Sequence, residues 1–96
     1  MNLMIKIIDN KVYRGSDKIG WLDNKHVYDE NARPLGYYSE SRKAVFNENG
    51  VKVAYINHND LVTSDGKTHH VDDLIEHVSG GSLPDIGRAA VRILLG

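Results

Sequence analysis

The chain has 96 residues, 41% hydrophobic and 26% charged, with 12 basic against 13 acidic side chains and a formal net charge of −1. That length supports one core rather than two. Without a basic excess the chain lacks the footprint of a nucleic-acid binder, whose affinity comes largely from phosphate neutralisation. It contains no cysteine, which excludes disulfides, thiolate catalysis and Cys-based zinc sites and fits a cytosolic setting.

The opening run MNLMIKII carries Lys6 and is too short for the apolar core of a signal peptide. No later stretch has the length to cross a bilayer, so no membrane partner is expected. From here one phrase recurs: a Val-aromatic pair, a polar turn, then aliphatic-small-aromatic-apolar. It reads Val12-Tyr13 with Ile19-Gly20-Trp21-Leu22, then Val27-Tyr28 with Leu35-Gly36-Tyr37-Tyr38, then Val45-Phe46 with Val53-Ala54-Tyr55-Ile56. A degraded fourth copy begins at Val62-Thr63 and breaks at His69-His70-Val71. Units of this size cannot bury an apolar face alone and must share one.

Up to about residue 64 the apolar period is two, which reads as about eight short half-buried strands. One phase holds Ile5, Ile7, Ile19, Trp21, Leu35, Tyr37, Val53 and Tyr55. The other holds Ile8, Leu22, Tyr38 and Ile56. Asn49-Gly50 and Asp65-Gly66 mark turns that need positive φ. Such a set is expected to close on itself, because closure removes exposed edges. The small residues Gly20, Gly36 and Ala54 mark a tight place, with backbone near a pseudo-symmetry axis or a ring lying over it.

Beyond residue 70 the period changes. Val71, Leu74, Ile75 and Val78 are spaced for a short amphipathic helix with Asp72 and Asp73 in its first turn. Gly80-Gly81 stops it, and Ser82-x-x-Asp85 with Pro84 starts a second helix. In that helix Ile86, Ala90, Ile93 and Leu94 make one apolar stripe, while Val91 and Leu95 lie on another side and are expected to stay uncovered. The domain reading is a four-repeat β domain over 1–70 and a helical extension over 71–96.

The phrases VYRGSDKIGWL, VYDENARPLGYY and VFNENGVKVAYI make the chain resemble the small bacterial 4-fold beta flower proteins, over residues 5 to 64. The resemblance implies a mainly β fold: four hairpin-like repeats around a pseudo-four-fold axis, closed like a barrel or flower, followed by one or two C-terminal α-helices. It brings no catalytic or binding residue to carry over.

Three kinds of site are on offer. His26, His58, His69, His70 and His77 include a metal candidate, His58, His69 and His70 with a carboxylate such as Asp60, Asp65, Asp72 or Asp73. No HExxH-type spacing supports it, and adjacent His69 and His70 point opposite ways in extended chain. The plainer reading is that they mark the exit from the sheet and cap the first helix. Trp21, Tyr37 and Tyr55 occupy equivalent positions and form a ring or stripe, either a recognition face or core. Uncovered apolar surface on the last helix marks an association site. A homo-oligomer, with a dimer favoured, would meet through Ile86, Ala90, Val91, Ile93, Leu94 and Leu95, with Arg88 and Arg92 at the rim facing Asp72 or Asp73. The function expected is a non-enzymatic interaction module that self-associates and takes a protein or small-molecule partner, with no cofactor. The alternative is a small metal-dependent or hydrolytic enzyme using His58, His69 and His70.

Overall fold

Hairpins form where the chain offers residues that accept a left-handed backbone. Asp9 and Asn10, at φ 50° and 66°, join β1 (Ile5–Ile8) to β2 (Lys11–Arg14). Asn24 and Lys25, at φ 49° and 68°, join β3 (Asp17–Asp23) to β4 (His26–Asp29). Two central residues with positive φ match the right-handed twist of the flanking strands. Residues 40–43 join β5 (Pro34–Ser39) to β6 (Ala44–Asn47). His58 (φ 58°) and Asn59 join β7 (Lys52–Asn57) to β8 (Asp60–Thr63). The chain continues through β9 (Thr68–His70), α1 (Val71–Ile75), β10 (Val78–Ser79) and α2 (Asp85–Leu94). This is a computed structural model that describes residues 4–76, 78–80 and 83–95. His77, Gly81 and the expected Ser82 cap lie outside the described residues.

The strands form one sheet in the order β10-β1-β2-β3-β4-β5-β6-β7-β8-β9. Its pairs are antiparallel except β1 with β10, which is parallel. The sheet is not closed, against the expected closed barrel or flower. Residues 71–77 alone separate His70 on one edge from Val78 on the other. The five-residue α1, rising about 7.5 Å, carries the chain across the opening, so the two edges are bridged by a helix instead of by a ladder.

Register shows how the repeat works. Val12 sits opposite Gly20, Val27 opposite Gly36 and Val45 opposite Ala54. Each of these pairings is followed by a register shift. Ile19, Leu35 and Val53 are the extra residues, so the aliphatic member of each phrase is a β-bulge. The bulge breaks period two. Ile19, Leu35 and Val53 therefore pack against the core and not with Trp21, Tyr37 and Tyr55, as strict alternation had placed them. Ile5 and Ile7 likewise lie inward, each 2% exposed, while Ile8 is exposed.

The fourth repeat begins one residue earlier than its sequence indicates. Leu61 pairs with His69 and Val62 with Thr68, without a register shift. Leu61 is thus the counterpart of Val12, Val27 and Val45, and all four are 0% exposed. A backbone bond repeats with them: Leu22 donates to Asn10, Tyr38 to Lys25, Ile56 to Lys43 and Val71 to Asn59. His69 therefore holds the small-residue place and His70 the aromatic one. The phrase dissolved in the sequence because its bulge residue is missing. Three loops also match: Asp29, Asn47 and Thr63 each accept at the backbone carbonyl from Ala32, Gly50 and Gly66, which sit at φ 67°, 80° and 85°.

The C-terminal segment is part of the same core and not an appendage. Val78 was expected to extend the first helix but pairs with Ile5 in β10, and Gly80, at φ 85°, lets the chain pass Ile7, whose carbonyl a Cβ would strike at 2.4 Å. In α2, Ile86, Ala89, Ala90 and Val91 are buried against the inner sheet face. The expectation that Val91 and Leu95 stay uncovered is corrected here. Val91 is 0% exposed, and Leu95 packs on the core with Ile93 and Leu94. Arg14 donates to the Leu95 carbonyl at 3.3 Å and Arg88 to the Val78 carbonyl at 2.7 Å, so Arg88 ties the helix to its own sheet.

The tight place at Gly20 and Gly36 also has a different cause from either one expected. A Cβ on Gly20 would lie 2.1 Å from the Tyr28 carbonyl oxygen and 3.0 Å from the Leu95 side chain. On Gly36 it would meet the Phe46 carbonyl at 2.1 Å and Leu94 at 3.0 Å. The next strand and the helix above it, not an aromatic ring, exclude the side chain.

Candidate binding face

Because Val12, Val27, Val45 and Leu61 point inward, their neighbours Tyr13, Tyr28, Phe46 and Val62 point outward. The cross-strand partners Trp21, Tyr37, Tyr55 and His70 lie on the same outer face. Of the seven aromatic residues of the chain, Phe46 on the outer face is buried at 6% exposed, and Tyr38 turns into the core. There burial, and secondarily the Glu40 charge, raise its phenol above the usual tyrosine range.

The outer rings touch in two groups. Trp21 stacks on Tyr28 with centroids 5.6 Å apart and 18° between planes. His26 lies 5.4 Å from Tyr37, which meets Phe46 edge-on at 5.0 Å and 89°. Lys18 sits 5.2 Å above the Trp21 ring and Lys52 4.9 Å above that of Tyr55. Trp21, Tyr28 and Tyr37 are half-buried and Tyr55 is 37% exposed. The three expected aromatics thus form a stripe on the outer sheet face. The sequence pattern missed Tyr28, Phe46, Lys18 and Lys52 as members of it, although Tyr28 and Phe46 stand in the Val-aromatic pair of each phrase.

On this face a groove of about 480 Å³ opens between Tyr37, Arg42, Ala44, Phe46, Gly50 and Lys52. A second cleft of about 370 Å³ lies where the 40–43 and 58–59 turns approach the start of α2, lined among others by Glu40, Lys43, His58 and Asp85.

The metal candidates are not brought together. His69 shares the face of Leu61, His70 stands opposite Asp60 on the other face, and His58 holds the left-handed position of the β7–β8 turn. Among the described residues no three His, Asp or Glu side chains converge as a metal site. His70 does occupy the N-cap position of α1, but it makes no side-chain cap hydrogen bond. Asp65 is drawn below the ordinary carboxylate range by the Thr63 hydroxyl and then by the Lys67 backbone N–H, bonds that fix its loop.

No helix among the described residues is long and apolar enough to cross a membrane. Compared with family models, curated proteins and solved structures, the chain matches none.

Proposed function

We propose that this chain is a non-enzymatic binding module whose contact surface is the outer aromatic face of its sheet. The observation that carries the reading is the pair of ring clusters on this face, Trp21 with Tyr28 and His26 with Tyr37 and Phe46, flanked by lysines and by the part-exposed Tyr55. Rings with polar tips supply large contact area at small entropic cost, which is why they are enriched at recognition surfaces. Of the side chains meant to meet a second copy through α2, Ile86, Ala90 and Val91 are buried in their own core, while Ile93, Leu94 and Leu95 pack on it in part. The recurrence of one register in four hairpins supports the resemblance to 4-fold beta flower proteins.

The test is a thermal-shift screen of small molecules and short peptides on wild type and on a Trp21→Ser, Tyr37→Ser, Tyr55→Ser variant. A ligand at about 100 times its Kd adds about 2.7 kcal/mol of stability, a clear rise in Tm. The expected result is a ligand class that stabilises wild type and leaves the variant unchanged. Ligands that stabilise both proteins equally would place the contact surface elsewhere.

A further inference from the structure

The groove beside Tyr37 exists because the third repeat departs from the others at two positions. Lys11, His26, Ala44 and Asp60 are equivalents, each paired with or beside the aromatic place of the next strand. His26 fills that position with a ring against Tyr37, whereas Ala44, itself only 2% exposed, offers a methyl at the base of the groove. The second departure is the turn. Residues 40–43 make a four-residue connection where the first, second and fourth tight turns have two, and the added length brings Arg42 to the rim. Lys52 stands at the groove as well, and Gly50 lines it near the Tyr37 hydroxyl, with room left for a Cβ 3.7 Å from that oxygen.

The lining has two cations, two aromatic rings and no carboxylate. Neither Arg42 nor Lys52 is ion-paired among the described residues. A volume of about 480 Å³ lies within the range of small-molecule sites. A guanidinium presents a planar fork suited to carboxylate or phosphate, and an ammonium adds a point charge. The aromatic floor accepts a ring by stacking or edge contact.

We propose that this groove binds a small aromatic anion, a free aryl ring bearing a phosphate or carboxylate, with the ring against the half-buried Tyr37 and the anionic group on Arg42 and Lys52. The proposal rests on the outer face being the contact surface and narrows it to one ligand class. An amide NMR titration of the full chain tests it, with phenyl phosphate as probe and inorganic phosphate and benzyl alcohol as separate halves of the same chemistry. Phenyl phosphate is expected to give saturable shifts at Gly50 and Lys52 with a Kd below about 1 mM. Each half alone should bind at least about tenfold more weakly. Arg42→Gln with Lys52→Gln should weaken phenyl phosphate about tenfold or more, with amide positions outside the groove unmoved as proof of folding.

Four results would overturn the proposal. Inorganic phosphate binding as tightly as phenyl phosphate would reduce the groove to a patch of surface charge. No saturable shift up to about 10 mM would remove the site. Shifts confined to the cleft around Glu40 and His58 would assign the ligand there. Shifts at Trp21 and Tyr55 that spare Gly50 would end the groove assignment while leaving the outer face as a contact surface.

Discussion

The first three repeats and the fourth differ in residues far more than in geometry. The fourth keeps the buried inward side chain, Leu61 for Val, and the backbone bond from Val71 to Asn59 that matches those of Leu22, Tyr38 and Ile56. It also keeps the loop bond between Gly66 and Thr63. What it lacks is the bulge residue, the small residue and the aromatic ring. The cause lies in its place at the sheet edge. Gly20 and Gly36 are small because the carbonyl of the following strand occupies the space of a Cβ. After β9 no antiparallel strand follows, so His69 meets no such carbonyl and is exposed. A repeat is thus held to its pattern by its neighbours, and the last unit is released from it.

The comparison breaks most visibly in the core. Leu61→Ala is expected to cost about 4 kcal/mol, near the upper part of the range for fully buried leucine. Val45→Ala, one methylene shorter at the same place, should cost about 2 kcal/mol. Urea denaturation of both variants measures the difference. Equal costs would mean that the fourth inward position is not packed as its equivalents are.

The small-residue position gives the next largest contrast. Gly36→Val drives a branched side chain into the Phe46 carbonyl and the Leu94 side chain, and about 3 kcal/mol of destabilisation is expected. His69→Val, the same change of place in the fourth repeat, should stay within about 0.5 kcal/mol of wild type. Denaturation midpoints decide it: a Gly36→Val protein as stable as wild type would show that the neighbouring carbonyl moves aside without cost.

The loops give a smaller effect of opposite sign. Ala32 holds at φ 67° the position that Gly50 and Gly66 fill at 80° and 85°. Ala32→Gly should gain about 0.5 kcal/mol, the relief of a left-handed alanine less the entropy of glycine, and Gly66→Ala should lose about 1 kcal/mol. Thermal melts of the two variants are expected to shift in opposite directions.

The faintest effect is on pH. Asp65 titrates below the ordinary carboxylate range in the folded chain, through the Thr63 hydroxyl first and the Lys67 N–H second. Its stabilisation is therefore present above the ordinary carboxylate value and is lost as pH falls through the lower folded one. Wild type and Asp65→Asn should differ in Tm near neutrality and converge in acid; a constant gap down to that range would exclude the carboxylate charge as the cause. Asn47, which accepts from Asn49 and Val51 in the same loop of the third repeat, cannot titrate and should show no such trend when changed to serine.

Much of this architecture was legible in the chain. The Val-aromatic phrase located β2 to β7, Asn49-Gly50 and Asp65-Gly66 signalled turns of positive φ, and the equivalence of Trp21, Tyr37 and Tyr55 placed them on one face. Other features were hidden for a common reason. A bulge adds one residue without changing composition, so Ile19, Leu35 and Val53 looked like members of the Trp21 phase. The groove could not be anticipated either, since it depends on Ala44 lying across the sheet from the ring row while the 40–43 turn carries Arg42 to its rim.

The sequence by itself determined the local events: where the backbone turns, which strands pair with their neighbours, and that four units share one inner row of branched residues. These follow from left-handed propensity and side-chain alternation, which act over a few residues. Tertiary structure alone decided that Val78 pairs with Ile5 in parallel, that the sheet stays open across α1, and that Val91 and Leu95 are covered. Those outcomes depend on surfaces far apart along the chain, as the Arg14 bond to Leu95 illustrates with a separation of 81. An amphipathic pattern states which side chains avoid water but not which surface will cover them, and only the packed sheet supplies that surface.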